Sequence, residues 1–160
     1  MVALKVALPD ERATLALGAA LAGTLEPGLT FYLQGPLGAG KTTVIRGMLR
    51  ALGHQGPVRS PTYTLVEVYA VSRLDLHHFD FYRFHDPREW IDAGFRETFN
   101  GLNVSLIEWP EKAGGLLPPA DVEIALELHG TGRSAELTSS SIRGQKCLAL
   151  LEQRWPASSP

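Results

Sequence analysis

The stretch Leu33–Thr43, "LQGPLGAGKTT", decides the fold. Gly35, Gly40, Lys41 and Thr42 match G-x-x-x-x-G-K-[ST] in full. At ordinary residue frequencies a chance match in a chain of this length is roughly one in two hundred. Each residue type has a physical reason to be there. Gly35, Gly38 and Gly40 let the backbone turn its N–H groups inward with no Cβ in the way of a phosphate. Lys41 brings a cation to the β- and γ-phosphates, and the helix it opens adds the positive end of its dipole. The Thr42 hydroxyl can ligate Mg²⁺. The competing reading is a Gly-rich turn that merely precedes Lys and Thr. The flanks argue against it, because "GLTFYLQG" reads as a short strand before the loop. After it, Val44, Ile45, Met48, Leu49 and Leu52 recur at helical spacing up to Gly53, a C-terminal glycine signal. Strand, cradle and helix in that order make a nucleotide site.

Outward from the cradle, the chain alternates strands and helices. Val2, Leu4, Val6 and Leu8 have period two. Pro9-Asp10-Glu11 starts a helix whose stripe is read as Leu15, Ala19 and Ala22. "SPTYTLVEVYAV" and "RLDLHHFDFYRF" read as two paired strands. In "DPREWIDAGF", Asp86 and Glu89 have capping-box spacing, with Pro87 at the first helical position. "NVSLIEWP" is an apolar strand stopped by Pro110. A hairpin turning at Gly130–Gly132 follows, and a helix near Gln145–Gln153 closes the pattern. This predicts an α/β sandwich of the P-loop NTPase type: a central, mostly parallel sheet with an antiparallel hairpin portion and helices on both faces. Residues 1–155 form one domain, and 156–160, "PASSP", a disordered tail.

Composition excludes several classes. A net charge of −2 and the absence of any Lys/Arg run argue against a surface that holds nucleic acid by itself. The single cysteine, Cys147, rules out an internal disulfide and fits a reducing cytoplasm. No apolar run is long enough to span a bilayer, so no membrane is expected.

A phosphate cradle needs a carboxylate for the metal and a group that orients water. "VSLIEWPE" ends an apolar strand in an acid, Glu108, where the metal-side carboxylate belongs, although a solvated strand-end acid would look the same. "HHFDFYR" places His78, Asp80 and Tyr82 on one strand face by period two. Asp80 could instead be a buried partner of Arg83 or Arg73, and His78 by itself reads as well as a structural histidine.

Taken together, "GPLGAGKTT", "VRSPTYTLVEVY", "HHFDFYRF" and "LIEWPEK", in this order and spacing, resemble the TsaE family, formerly YjeE. These are small P-loop ATPases of bacterial tRNA threonylcarbamoyladenosine (t6A) biosynthesis. The resemblance spans nearly the whole chain. It implies an ATP and Mg²⁺ site in which Gly35 and the run Gly38, Ala39, Gly40, Lys41, Thr42, Thr43 hold the phosphates. Thr42 and Glu108 would ligate the metal, and Lys41, Asp80 and Glu108 would serve catalysis, Asp80 by activating water. Ser60–Thr64 would act as a switch loop, with Trp109 near the site, and Glu11, Thr14 and Arg133 would flank the base. The partners implied are TsaD and TsaB, with tRNA engaged only through them at adenosine 37 of tRNAs reading ANN codons. Where the family usually carries an acid after the first cradle glycine, this chain has Pro36, which has no N–H to offer. Two other functions remain open. A small-molecule kinase would need an arginine-bearing lid, for which only Arg88 and Arg96 in "DPREWIDAGFRETF" are candidates. A nucleotide-gated docking module with negligible turnover would need no water-activating acid.

Overall fold

Seven strands form one sheet in the computed structural model, which describes residues 2–61, 63–86, 88–89, 97 and 99–155. They are β1 (Val2–Leu8), β2 (Thr30–Gln34), β3 (Val66–Val71), β4 (Leu74–Asp80), β5 (Val104–Glu108), β6 (Val122–His129) and β7 (Gly132–Ser139). Their order is β1-β7-β6-β2-β5-β4-β3. The central four, β6, β2, β5 and β4, run parallel. The outer ladders, β1 to β7, β7 to β6 and β4 to β3, are antiparallel. The expected α/β architecture, with a parallel centre and antiparallel strands beside it, is observed; among the described residues the α-helices pack on one face and a 3₁₀ segment on the other. β5, "VSLIE", is buried at all five positions, the continuous pattern of a strand covered on both faces. Edge strand β3 has exposed residues and buries none fully.

Helices α1 (Glu11–Ala22), α2 (Lys41–Ala51) and α3 (Ile142–Arg154) bury their apolar stripes in one core. In it, Leu17, Leu21, Val44, Ile45, Met48 and Leu148 meet Phe31, Leu33, Leu106 and Ile124 of the sheet. Asp10 caps α1 by accepting from the Ala13 N–H at 2.8 Å, a contact that contributes about 1 kcal/mol. α3 starts at Ile142 rather than near Gln145, because the Ser141 hydroxyl accepts from the Gly144 N–H at 2.9 Å. Cys147 is buried on α3 against the Thr24 hydroxyl.

The stripe read for α1 is corrected by the structure. Its buried residues are Thr14, Leu17, Gly18 and Leu21, and Ala19 faces solvent. Glycines decide the rotation. A Cβ on Gly18 would lie 2.0 Å from the Val44 carbonyl oxygen, and one on Gly47 would lie 2.2 Å from that of Leu15. The two helix backbones therefore touch at a reciprocal pair of glycines, where no other residue would fit without moving a helix.

A smaller core on the opposite sheet face joins Phe79, Phe81, Phe84, Ile107 and Ala113. Among the described residues its cover includes the 3₁₀ segment Pro110–Leu116. The helix expected from Asp86 lies largely outside the described residues, at 87, 90–96 and 98, and the expected tail at 156–160 does too. Its start signal is formed: the Glu89 carboxylate accepts from the Asp86 N–H at 3.1 Å, and Asp86 accepts from the Arg88 N–H at 2.9 Å.

Three neighbouring parallel strands end level with one another. Leu33 pairs with Glu108, and Glu108 with Asp80. The chain leaves β2 there and enters the cradle, at the carboxyl edge where open α/β sheets place their ligands.

Candidate functional site

The loop from Gly35 to Gly40 joins β2 to α2 and lifts the start of that helix over the strand ends. Two of its glycines are required by geometry. Gly40, the N-cap of α2, has φ 106°, a left-handed conformation that penalises any Cβ. Gly35 has φ 145°, and a Cβ there would lie 2.4 Å from the Leu126 carbonyl oxygen. Pro36 offers no N–H, but its carbonyl accepts from the Ala39 N–H and from Lys41 Nζ, both at 3.1 Å.

Lys41 is 5% exposed and folds back over the loop, where its ammonium also donates to the Gly35 carbonyl. Its Nζ lies 4.1 Å from the centre of the Trp109 ring, within cation–π range. Burial pushes the Lys41 ammonium below the usual lysine range, an effect opposed by the Glu108, Asp80 and Glu111 carboxylates. Trp109 reaches this position from a left-handed backbone, φ 58°, at the end of β5. That conformation is rare for a bulky residue and clusters at functional sites.

The two carboxylates are buried neighbours on adjacent strands. Glu108 Oε2 accepts from the Thr42 hydroxyl at 2.8 Å and lies 2.7 Å from His78 Nε2. Asp80 Oδ1 accepts from the Tyr82 N–H at 2.8 Å, and Oδ2 accepts from the Ser60 hydroxyl. This turn also stops β4. The period-two reading therefore holds through Asp80 and fails at Tyr82, whose ring instead lies 4.9 Å from that of Trp109. Neither arginine considered as a partner reaches Asp80 by an ion pair among the described residues. Arg83 lies over the Tyr63 ring and donates to its hydroxyl at 3.3 Å, and Arg73 lies in the β3–β4 turn.

A cavity of about 250 Å³ is lined by Leu37, the run Gly38 to Thr43, Ser60, Asp80, Tyr82, Glu108 and Trp109. A second, of about 200 Å³, shares Gly38, Gly40 and Thr43 with it and extends to Asp10, Glu11, Thr14 and Arg133. Arg133 Nε donates to the Gly38 carbonyl at 3.1 Å, so the β6–β7 hairpin clasps the cradle loop. The first cavity can take a polyphosphate and the second a group attached to it.

The donor chemistry also fits Mg²⁺. Thr42 and Glu108 present hard oxygen ligands within hydrogen-bond distance beside the cavity. Among the described residues no group of three or more His, Cys, Asp and Glu converges as a metal cage. Magnesium bound with a nucleotide uses one or two protein oxygens, with phosphates and water for the rest.

The phosphate run Gly38 to Thr43, Asp80, Glu108 and Trp109 thus line the first cavity, and Glu11, Thr14 and Arg133 the second. Gly35 shapes the loop and His78 meets the site through Glu108. Of the expected switch segment Ser60–Thr64, Ser60 lines the first cavity, Pro61, Tyr63 and Thr64 line neither, and residue 62 lies outside the described residues. Ser60 and Tyr82 acquire specific contacts to Asp80 that strand periodicity alone does not reveal. His78 is the residue underread: parity placed it beside Asp80, but its contact with Glu108 depends on how β4 registers against β5.

A family model described as "Threonylcarbamoyl adenosine biosynthesis protein TsaE" matches residues 8–135. The chain is 43% identical over 147 residues to the tRNA threonylcarbamoyladenosine biosynthesis protein TsaE of Haemophilus influenzae, covering 89% of this chain and 93% of that one. It is 38% identical over 122 residues to the protein of the same name from Bacillus subtilis, covering 76% and 75%. Among solved structures, YdiB of Bacillus subtilis superposes with a TM-score of 0.82 over 95% of each chain, at 28% identity.

Proposed function

The chain belongs to the TsaE family, and from that premise we propose that it is the ATP-binding and ATP-hydrolysing subunit of tRNA threonylcarbamoyladenosine formation. It acts in the cytoplasm, as a single domain over residues 1–155, through TsaD- and TsaB-type partners. The observation that carries the reading is one cavity bounded by the cradle on one side and by Asp80 and Glu108 on the other.

The roles follow from the contacts. Cradle N–H groups and Lys41 hold the phosphates, and Lys41 turns from the Gly35 and Pro36 carbonyls toward the negative charge. Thr42 and Glu108 hold Mg²⁺, which when bound neutralises charge on the phosphate oxygens. Asp80 accepts the proton of the attacking water. Glu11 and Arg133 flank the base from the second cavity.

Slow hydrolysis by the isolated chain is the expectation, and the contacts of Asp80 support it. Both Asp80 oxygens are already hydrogen-bonded, one to a hydroxyl on the switch-like loop that starts at Ser60. A partner that moves this loop would withdraw the Ser60 hydroxyl and leave Asp80 Oδ2 a stronger and more open acceptor for water. With 15 Lys and Arg against 17 Asp and Glu, the chain leaves tRNA binding to its partners.

The test is an ATPase assay of the purified chain with and without TsaB and TsaD, alongside multi-turnover t6A formation. Stimulation by the partners, and a requirement for an intact Lys41, are expected. Efficient phosphorylation of a metabolite, or partners that neither bind nor change the rate, would overturn the proposal.

A further inference from the structure

We propose that His78 is a positioning residue for Glu108: its Nε2–H holds one carboxylate oxygen so that the other is presented to the cavity. The inference rests on reading Glu108 as the metal-side carboxylate.

His78 is fully buried on β4, on the sheet face covered by α1 and α2, and its Nε2 lies 2.7 Å from Glu108 Oε2. An ionised carboxylate only accepts hydrogen bonds, so the shared proton sits on the imidazole nitrogen. The other ring nitrogen, Nδ1, is buried with no hydrogen-bond partner among the described residues. In the Nε2–H tautomer that atom is an unpaired acceptor, which is easier to bury than an orphan N–H. This tautomer leaves only an acceptor unpaired and aims the ring's one donor at Glu108.

The packing points the same way. Leu76, two residues earlier on the same strand face, fills its part of the core with an aliphatic side chain. An imidazole at His78 adds a fixed donor to the same function of filling space. The Thr42 hydroxyl donates to the same oxygen from the first turn of α2. Glu108 Oε2 is thus pinned from a strand and from a helix, while Oε1 takes no hydrogen bond from a described residue. Groups that hold a ligating carboxylate in this way set metal affinity without touching the metal.

The experiment measures binding of the β,γ-imido analogue of ATP as a function of Mg²⁺ concentration, in the full chain and in variants. His78→Leu and His78→Asn, whose side chains cannot donate at the distance of Nε2, should raise the Mg²⁺ needed for half-maximal effect about 10-fold. Affinity for the analogue without Mg²⁺ should stay within about twofold, and His78→Gln, whose amide can reach Glu108, should recover most of the loss. A role in packing alone would weaken binding equally with and without Mg²⁺ and would give no advantage to Gln, and either result overturns the proposal. If circular dichroism shows that His78→Leu does not fold, the contrast between Asn and Gln decides. Glu108→Ala separates the two readings. If it leaves the Mg²⁺ dependence unchanged, the metal-side assignment fails and this inference with it. If it shifts the dependence and the His78 variants do not, only this inference fails.

Discussion

Glu108 and Asp80 stand opposite each other at the ends of β5 and β4, and the molecule holds them in different ways. Glu108 is gripped by His78 on a central strand and by Thr42 in the first turn of α2, both parts of the main core. Asp80 is gripped by a loop hydroxyl, Ser60, and by a backbone N–H in the turn that ends its own strand. One acid is set by regular structure on both sides, the other by a loop and a turn outside the sheet. A site that must hold a cofactor in one geometry and fire in another needs this division.

Four changes break or sharpen the contrast. The largest effect is shared by both halves. Lys41→Ala removes the cation that lies between the loop carbonyls and the cavity, and should cost on the order of 2–4 kcal/mol of transition-state stabilisation. Steady-state ATPase kinetics would reveal it, and near-normal kcat/KM would refute the assignment of the cradle.

Next is the half held by the loop and the turn. Asp80→Asn should lower kcat about 100-fold, the lower end for loss of a general base, and leave ATP affinity within a few-fold. Single-turnover hydrolysis beside equilibrium binding separates the two quantities. The fixed half should show the opposite pattern. Glu108→Ala should weaken Mg²⁺-supported ATP binding by about 10-fold, with partial recovery in excess Mg²⁺. If the two variants exchange phenotypes, the roles are swapped.

The smallest effect is the most diagnostic. Ser60→Ala releases one oxygen of Asp80, and should raise the basal ATPase rate a few-fold, about 1 kcal/mol, while shrinking the stimulation by partners. An unchanged ratio of stimulated to basal rate would show that the Ser60 contact does not restrain hydrolysis.

How much of this was legible in the sequence follows the same division. The cradle is contiguous, and its glycines, lysine and threonine each carry a local reason, so loop, strand and helix could be read together. Strand parity placed His78 and Asp80 on one face, and the burial of "VSLIE" follows from its composition. The missed features are non-local. The rotation of α1 was decided by Gly18 meeting Val44, a contact between helices that Leu15, Ala19 and Ala22 do not announce. The contact of His78 with Glu108 requires the register of β4 on β5, and the reach of Ser60 to Asp80 requires the path of a loop. Residues paired across strands or held by loops leave no periodic trace, whereas a motif read in a row does.

The glycine contact between α1 and α2 has a thermodynamic consequence. Because Gly18 and Gly47 bring the two backbones together, the start of α1, with Asp10, Glu11 and Thr14, cannot shift independently of the start of α2, with Lys41 to Thr43. The wall that the two cavities share, Gly38, Gly40 and Thr43, therefore stands on one closely packed helix pair. A nucleotide entering them loses little of its binding free energy to ordering the protein there. Ser60 and the turn after Asp80 stand outside this packed pair, so calorimetry on Ser60 and Tyr82 variants beside cradle variants would show which wall costs more to order.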